Sequence, residues 1–342
     1  MTTSEPYQDL LRLDRLGPAL VEATGELAWA VPDVELISGG KSNLTFRLSS
    51  EAGELILRRP PTGDLLPSAH DMRREARVQS ALHGTAVPVP RIVLADAGDL
   101  IGIQCYVMER VDGHVVRGEL PEGYAETPEE RHALAFAFVD TLAALHDVDA
   151  ASVGLGDYGR PEGFMARQVR RWTGQWEASA THEVPEIGEL ARRLAATVPS
   201  QQRSAIVHGD YRLDNVVLDR DEPGRIRAVL DWELSTLGDP LTDLALLSLF
   251  WIGPDEQRLR LIPGVTHLPG FPGRREVLDR YASASGADLS DISWYEAFAH
   301  FKFAVIAQGV AVRSAAGDMG GQDFGNLDDE VLHLGRSGLE HL

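Results

Sequence analysis

Three residues near the middle of the chain have the types and spacing for phosphoryl chemistry. The stretch His208-Gly209-Asp210-Tyr211-Arg212-Leu213-Asp214-Asn215 runs into the β-branched Val216-Val217-Leu218. A turn, Asp221-Glu222-Pro223-Gly224, comes next, and a second short run, Ile226 to Leu230, ends at Asp231-Trp232-Glu233. The order loop, strand, turn, strand, acid predicts a hairpin flanked by Asn215 and Asp231, which should bring the two together. Two oxygen donors placed in that way suit a hard divalent cation such as Mg²⁺. Asp210 lies five residues before Asn215, in reach of the same cavity but outside both strands. One acid for a proton and an Asn/Asp pair for a metal are the parts that phosphoryl transfer uses.

The pattern His-x-Asp-x-x-x-x-Asn, with a further acid after a hairpin, is similar to the catalytic and metal loops of protein kinases. Gly209 in the middle and Asp-Trp-Glu as the later triplet resemble the aminoglycoside phosphotransferase family of small-molecule kinases. The text from Leu230 to Ala245, Leu-Asp-Trp-Glu-Leu-Ser-Thr-Leu-Gly-Asp-Pro-Leu-Thr-Asp-Leu-Ala, resembles the branch of that family found with acyl-CoA dehydrogenases. The likeness covers most of the chain and is densest from 206 to 245. It implies an α+β, bilobal protein-kinase-like fold. A small antiparallel-sheet lobe over residues 1–110, led by helices, would bind nucleotide. A larger, mostly helical lobe over residues 111–342 would carry catalysis and the acceptor. It further implies that Asp210 orients the acceptor hydroxyl and that Asn215 and Asp231 hold Mg²⁺ on the phosphates of ATP or GTP. His208 is expected to be structural, and Arg212 and Asp214 to pair within the loop.

These residues need elements to hold them. Leu10, Leu13, Leu16, Leu20 and Leu27 recur at near-helical spacing, predicting one or two helices that end before Pro32. Val34 to Leu36 and Leu44 to Leu48 alternate as strands around Ser38-Gly39-Gly40-Lys41-Ser42-Asn43. That turn reads either as an ordinary hairpin turn or, with the downstream site, as a flap whose backbone N–H groups cradle phosphates. A P-loop is excluded, because Glu35 stands where its first glycine belongs and a strand follows instead of a helix. The next strand, Glu54 to Arg59, offers Arg58, or Arg59 one register along, in the place where kinases carry a phosphate-binding Lys. On a helix from about His70 to His83, Glu75 shares the apolar face with Val78 and Leu82, and a buried carboxylate needs an ionic partner. Arg58 is the natural one. Strands at Arg91 to Leu94 and Gly102 to Met108 follow, and the resemblance makes Tyr106 to Arg110, with Met108 and Glu109, the hinge that meets the purine.

In the second half, residues 129 to 146 form a helix that is apolar nearly all round and so is buried. A helix from Met165 to Glu177 carries Arg167, Arg170 and Arg171 beside Trp172 and Trp176. It is either a grip for an anionic acceptor or a solvated basic face. Glu233 joins Arg167, Arg170, Arg171 and Trp172 as a candidate acceptor contact. Asp239 and Asp243 are expected to brace the metal loop, with a helix over Leu241 to Phe250. Further helices are expected at 275–287 and 293–313.

The chain has 342 residues with 44% hydrophobic and 25% charged, as an ordinary globular protein does. Its net charge of −20 argues against nonspecific nucleic-acid or anionic-membrane partners and would suit a cationic substrate. No uninterrupted apolar run reaches the roughly 18 residues of a membrane span: Leu244 to Ile252 is too short, and Ala297 to Val312 is broken by His300, Lys302 and Gln308. No basic stretch leads into an apolar core at the N-terminus, so a cytoplasmic location is expected. The single Cys105 excludes an intramolecular disulfide. The expected function is therefore ATP- or GTP-dependent phosphorylation of a small-molecule hydroxyl. Aminoglycosides, hydroxyacyl-CoA-like compounds and choline-like alcohols compete as acceptors, and a catalytically inactive nucleotide-binding module is the different-class alternative. A protein kinase is disfavoured, because too few residues separate Asp231 from the next helix to hold a peptide.

Overall fold

Two faces of one sheet decide where the charged residues of its strands point. In the computed structural model, which describes residues 7–37, 43–61, 71–262, 264–316 and 324–342, the chain forms two compact units. The first comprises Met1–Gly113 and Arg227–Ser235. Its helices α1 (Gln8–Leu11) and α2 (Leu13–Thr24) precede strands β1 (Asp33–Leu36), β2 (Leu44–Ser50) and β3 (Gly53–Arg59). Helix α3 (Met72–Leu82) and strands β4 (Ile92–Asp96) and β5 (Cys105–Glu109) complete it. The five strands form one antiparallel sheet in the order β1-β2-β3-β5-β4.

Side chains alternate across a strand, and this sheet uses both faces. Phe46, Leu48, Leu55, Leu57, Cys105 and Val107 pack with Leu11, Leu16, Leu20 and Trp29 from the leading helices. Ile56, Tyr106 and Met108 face the other way, against Met72 and Ala76 of α3. Each fully buried Leu or Phe on these faces contributes about 1.5–3 kcal/mol. Asp71 caps α3 by accepting from the Arg74 N–H at 3.1 Å, which fixes the helix start and so the placement of Glu75.

The second unit, His114–Ile226 with Thr236–Leu342, is mostly helical. Helix α4 (Pro128–Asp147) opens on a capping box between Thr127 and Glu130. Then come α5 (Phe164–Ser179), α6 (Pro185–Ala196), β6 (Ala205–Val207), β7 (Val216–Leu218) and, after β8 (Ile226–Val229), which belongs to the first unit from Arg227 on, β9 (Thr236–Gly238). Helices α7 (Leu241–Phe250), α8 (Arg274–Ser285), α9 (Ile292–Ala315) and α10 (Asp328–Glu340) finish the chain. Strand β6 pairs antiparallel with β9, Ile206 opposite Leu237. A Cβ on Gly238 would sit 2.8 Å from the Phe164 ring, so only glycine lets α5 approach this pair. Neither α6 nor the three-residue β6 and β9 were signalled by periodicity; strands that short carry too little of it. No helix among the described residues is long and apolar enough to cross a membrane.

Candidate active site

In the first unit, the α3 face of the sheet carries an ionic network. Arg58 and Tyr106 are register partners on β3 and β5. The Arg58 guanidinium lies 3.5 Å from Glu75 through Nη1 and 3.0 Å from the Asp231 carboxylate through Nη2. Glu75 is 1% exposed. It accepts from the Tyr106 hydroxyl at 3.0 Å and from Asn43 Nδ2 at 3.3 Å. Gln79 in turn donates to the Tyr106 hydroxyl and to the Glu75 carbonyl. Burial holds the Glu75 carboxyl above its usual range, although Arg58 and the Tyr106 hydroxyl pull against it. Burial works against the Arg58 charge, but the field of Tyr106, Glu75 and Asp231 outweighs it and holds the guanidinium charged. Arg59 faces the other side, as period two requires. It is buried, and it donates to the backbone carbonyls of Leu10 at 2.9 Å and Pro60 at 3.2 Å.

Asp231 follows β8 with φ +65°, a left-handed backbone that Asp tolerates better than most residues. It opens the short 3₁₀ turn Trp232–Leu234, which Trp232 anchors by donating from its indole to the Val229 carbonyl at 3.0 Å. Glu233 on that turn accepts from Asn43 Nδ2 at 3.2 Å. It therefore joins the Glu75 network.

In the second unit, the loop leaving β6 holds Asp210. Asp243, in the first turn of α7, accepts from the backbone N–H groups of His208 at 2.6 Å and Gly209 at 2.8 Å. Its carboxylate also meets His146 Nε2 at 3.2 Å, and His146 Nδ1 lies 2.6 Å from the Tyr281 hydroxyl. Burial raises the pKa of Asp243, but the hydrogen bond and charge of His146, with His208, outweigh it and keep the carboxyl below its usual range. Asp243 was expected to brace the metal loop; it braces the loop of Asp210, because the α7 start points at the β6 exit. Asp239 accepts from the Tyr295 hydroxyl at 2.7 Å and from the Leu241 N–H.

His208 Nδ1 accepts the Asp210 N–H at 3.2 Å, so this buried imidazole acts as a loop fastener. Gly209 has φ +86°, which bends the backbone out toward Asp210. Both N–H groups of the Asn215 side chain go to Asp210, one to its carbonyl at 2.9 Å and one to Oδ2 at 3.1 Å. Asn215 Oδ1 is left with no donor among the described residues. Arg212 lies 3.2 Å from Asp210 Oδ1 and 3.3 Å from Asp214 Oδ2.

The remaining sequence candidates divide. Ser38, Gly39, Gly40 and Ser42 lie outside the described residues. On β5, Met108 is a buried ladder residue, and Tyr106 turns its side chain into the Glu75 network. The Glu109 N–H bonds to the Arg91 carbonyl at 3.0 Å and its carboxylate pairs with Arg91 at 2.7 Å. That N–H is therefore not free for a purine, because β4 shields this end of β5. The three arginines of α5 do not gather: Arg167 folds back on the carbonyls of Arg160 and Glu162, closing its own helix start. Arg170 and Arg171 are exposed, with Arg171 5.8 Å over the Trp172 ring.

One residue of this region was read on sequence only as an interruption in an apolar run. Lys302 on α9 donates to the Gly209 carbonyl at 3.0 Å and lies 5.7 Å over the Trp172 ring. The signal was available, since a Lys between Phe301 and Phe303 on a helix buried nearly all round must have a partner inside.

The fold is that of the kinase-like phosphotransferases. Residues 33–280 match the phosphotransferase enzyme family, and the chain belongs to that family. It is a small-molecule phosphotransferase acting on hydroxyl groups. Acyl-CoA dehydrogenase family member 11 of Rattus norvegicus is 39% identical over 318 residues, covering 91% of this chain and 40% of that protein. The chain thus spans about two fifths of the length of that relative. A solved structure from Ralstonia eutropha, named as a candidate aminoglycoside phosphotransferase, is 34% identical with a TM-score of 0.78, covering 91% of this chain and 92% of that one. An aminoglycoside phosphotransferase solved with ADP and hygromycin B shares the fold at 16% identity and a TM-score of 0.61, over 95% of this chain and 98% of that one.

Proposed function

We propose that the chain transfers the γ-phosphoryl group of ATP or GTP to the hydroxyl of a small molecule, with Mg²⁺ as the metal. The observation that carries the reading is Arg58, mostly covered and held by Glu75 on one side while it meets the carboxylate of Asp231 on the other. A fixed guanidinium next to a half-exposed acid is suited to phosphate and its counter-ion. Asn215 and Asp231 would hold Mg²⁺, whose contribution is to neutralise charge on the phosphates. Each keeps an oxygen for it: Asn215 Oδ1 has no donor among the described residues, and Asp231 has one oxygen besides the one on Arg58. A set of two protein oxygens suits an ion that takes its other ligands from phosphate and water.

Asp210 would accept a hydrogen bond from the acceptor hydroxyl and align its oxygen. In a loose transition state, that positioning matters more than strong basicity. Asn215 and Arg212 hold the Asp210 carboxylate in place, and His208 and Asp243 hold the backbone beneath it.

For the acceptor we favour an anionic or acyl-type hydroxyl compound, such as a hydroxyacyl-CoA-like molecule. The support is the 39% identical relative named as an acyl-CoA dehydrogenase family member. The second reading is an aminoglycoside, favoured by the net charge of −20 and by the fold neighbour solved with hygromycin B. Screening alcohols, antibiotics and acyl-CoAs for Mg²⁺-dependent nucleotide consumption tests both. Turnover of hydroxyacyl thioesters and not of hygromycin-like compounds is expected; the reverse would select the second reading. No nucleotide consumption with any acceptor would defeat the proposed transfer.

A further inference from the structure

Lys302 is placed as a ligand-binding cation would be. Its ammonium group has three N–H donors. One goes to the Gly209 carbonyl, the residue next to Asp210, at 3.0 Å. The other two have no acceptor among the described residues, and no carboxylate pairs with the group. The Trp172 ring, 5.7 Å away, offers its face to the same ammonium and, at 5.8 Å, to the guanidinium of Arg171. Arg171 is exposed and likewise unpaired among the described residues. Two cations therefore share one indole with no acid of their own among the described residues.

Such an arrangement is unfavourable as it stands. Burial pulls the Lys302 pKa down, Asp210 and Asp243 pull it up, and Arg171 pushes it down again. No ion pair joins Asp210 to Lys302; its carboxylate faces Arg212 at 3.2 Å and the Asn215 amide at 3.1 Å instead. What would complete it is a ligand anion carried in beside the Asp210 carboxylate.

We infer that Lys302, with Arg171 across the Trp172 ring, forms an anion subsite that binds a carboxylate or comparable acidic group of the acceptor close to the hydroxyl that Asp210 receives. The inference rests on the phosphotransferase reading and deepens it: acceptors with acid near the hydroxyl are selected, and those with an amine there are rejected. The arginine grip expected from the sequence is thereby replaced. Arg167 closes its own helix, and the working cation comes from α9.

The test is calorimetric binding, in the presence of Mg²⁺ and AMP-PNP, of three ligands with one carbon skeleton: 3-hydroxybutyrate, 1,3-butanediol and 4-amino-2-butanol. The wild-type protein is expected to bind the acid at least about tenfold tighter than the diol, with the amine weakest. Lys302→Met should bring acid and diol level, and Arg171→Gln, an exposed change that leaves folding intact, should narrow the gap several-fold. Lys302→Arg should keep the preference for the acid, which a purely structural tie to Gly209 would not. An unchanged order in both Lys302→Met and Arg171→Gln, a wild-type preference for the amine, or binding of none of the three would overturn the subsite. If Lys302→Met fails to fold, the Arg171→Gln and Lys302→Arg results decide alone. AMP-PNP binding in the same cell separates the two layers. If the nucleotide binds without an acid preference, only this inference fails; if it does not bind, the phosphotransferase reading fails with it.

Discussion

The two units treat buried charge in opposite ways. In the first, the cation assigned to the phosphates is mostly covered, its side chain 12% exposed, and its carboxylate partner Glu75 is buried behind it. In the second, the assigned working carboxylate, Asp210, is 29% exposed, and the charge burial lies one residue layer back, in Asp243 and His146. A buried ion pair is costly to break, because the survivor is left unpaired in a poor solvent for charge. A half-exposed carboxylate with no buried partner charge can be removed with little structural consequence. The phosphate side should therefore fuse stability with function, and the Asp210 side should separate them.

The largest expected effect is kinetic. Asp210→Ala should lower kcat by about 10² to 10⁴ while shifting the melting temperature little. A loss of folding on the same scale as the loss of rate would break the comparison between the units.

Next comes Arg58→Met, which strands Glu75 and should destabilise the protein by about 3 kcal/mol while raising the nucleotide KM. Arg59→Met makes a matched control, since among the described residues Arg59 donates to the backbone carbonyls of Leu10 and Pro60. It should lower stability and leave the nucleotide KM alone. If Arg59 carried the KM effect, the face assignment of β3 would be wrong.

The smallest effect concerns acid. Burial, with the nearby charges of His341, Arg274 and His333, pushes His300 down to about 4, against the pull of the Glu296 carbonyl. The unfolded chain takes up this proton near pH 6.5, the folded protein only near pH 4. Unfolded protein thus binds more protons between those values, so stability falls as pH drops through that window. Melting curves of His300→Gln between pH 7 and 4 should show a shallower decline than wild type. Equal slopes would remove His300 as a contributor.

The parts legible in the sequence are those carried by short spacing. Glu75 on the α3 face, Arg58 one register from Arg59, and the strand–turn–strand run to Asp231 all follow from periods of two or 3.6. Their long-range meetings did not. Arg58 reaches Asp231 across 173 positions of sequence and Asn43 reaches Glu233 across 190, and no local pattern encodes either. Lys302 was hidden for the opposite reason. It breaks a local pattern, and its partner carbonyl belongs to Gly209, a backbone atom that side-chain identity does not advertise. Arg167, 170 and 171 shared a helix face by spacing, but the first had backbone carbonyls nearer than any ligand.

The central claim is a division of labour, with Asp231 assigned to the metal and nucleotide and Asp210 to the acceptor. Titrating AMP-PNP into wild type, Asp210→Ala and Asp231→Ala, each with and without Mg²⁺, tests it most directly. The account predicts that Asp210→Ala binds within about threefold of wild type, and that Asp231→Ala weakens Mg²⁺-dependent binding by about 100-fold, nearly 3 kcal/mol. Equal affinities for the two variants, or binding of wild type that is indifferent to Mg²⁺, would contradict it.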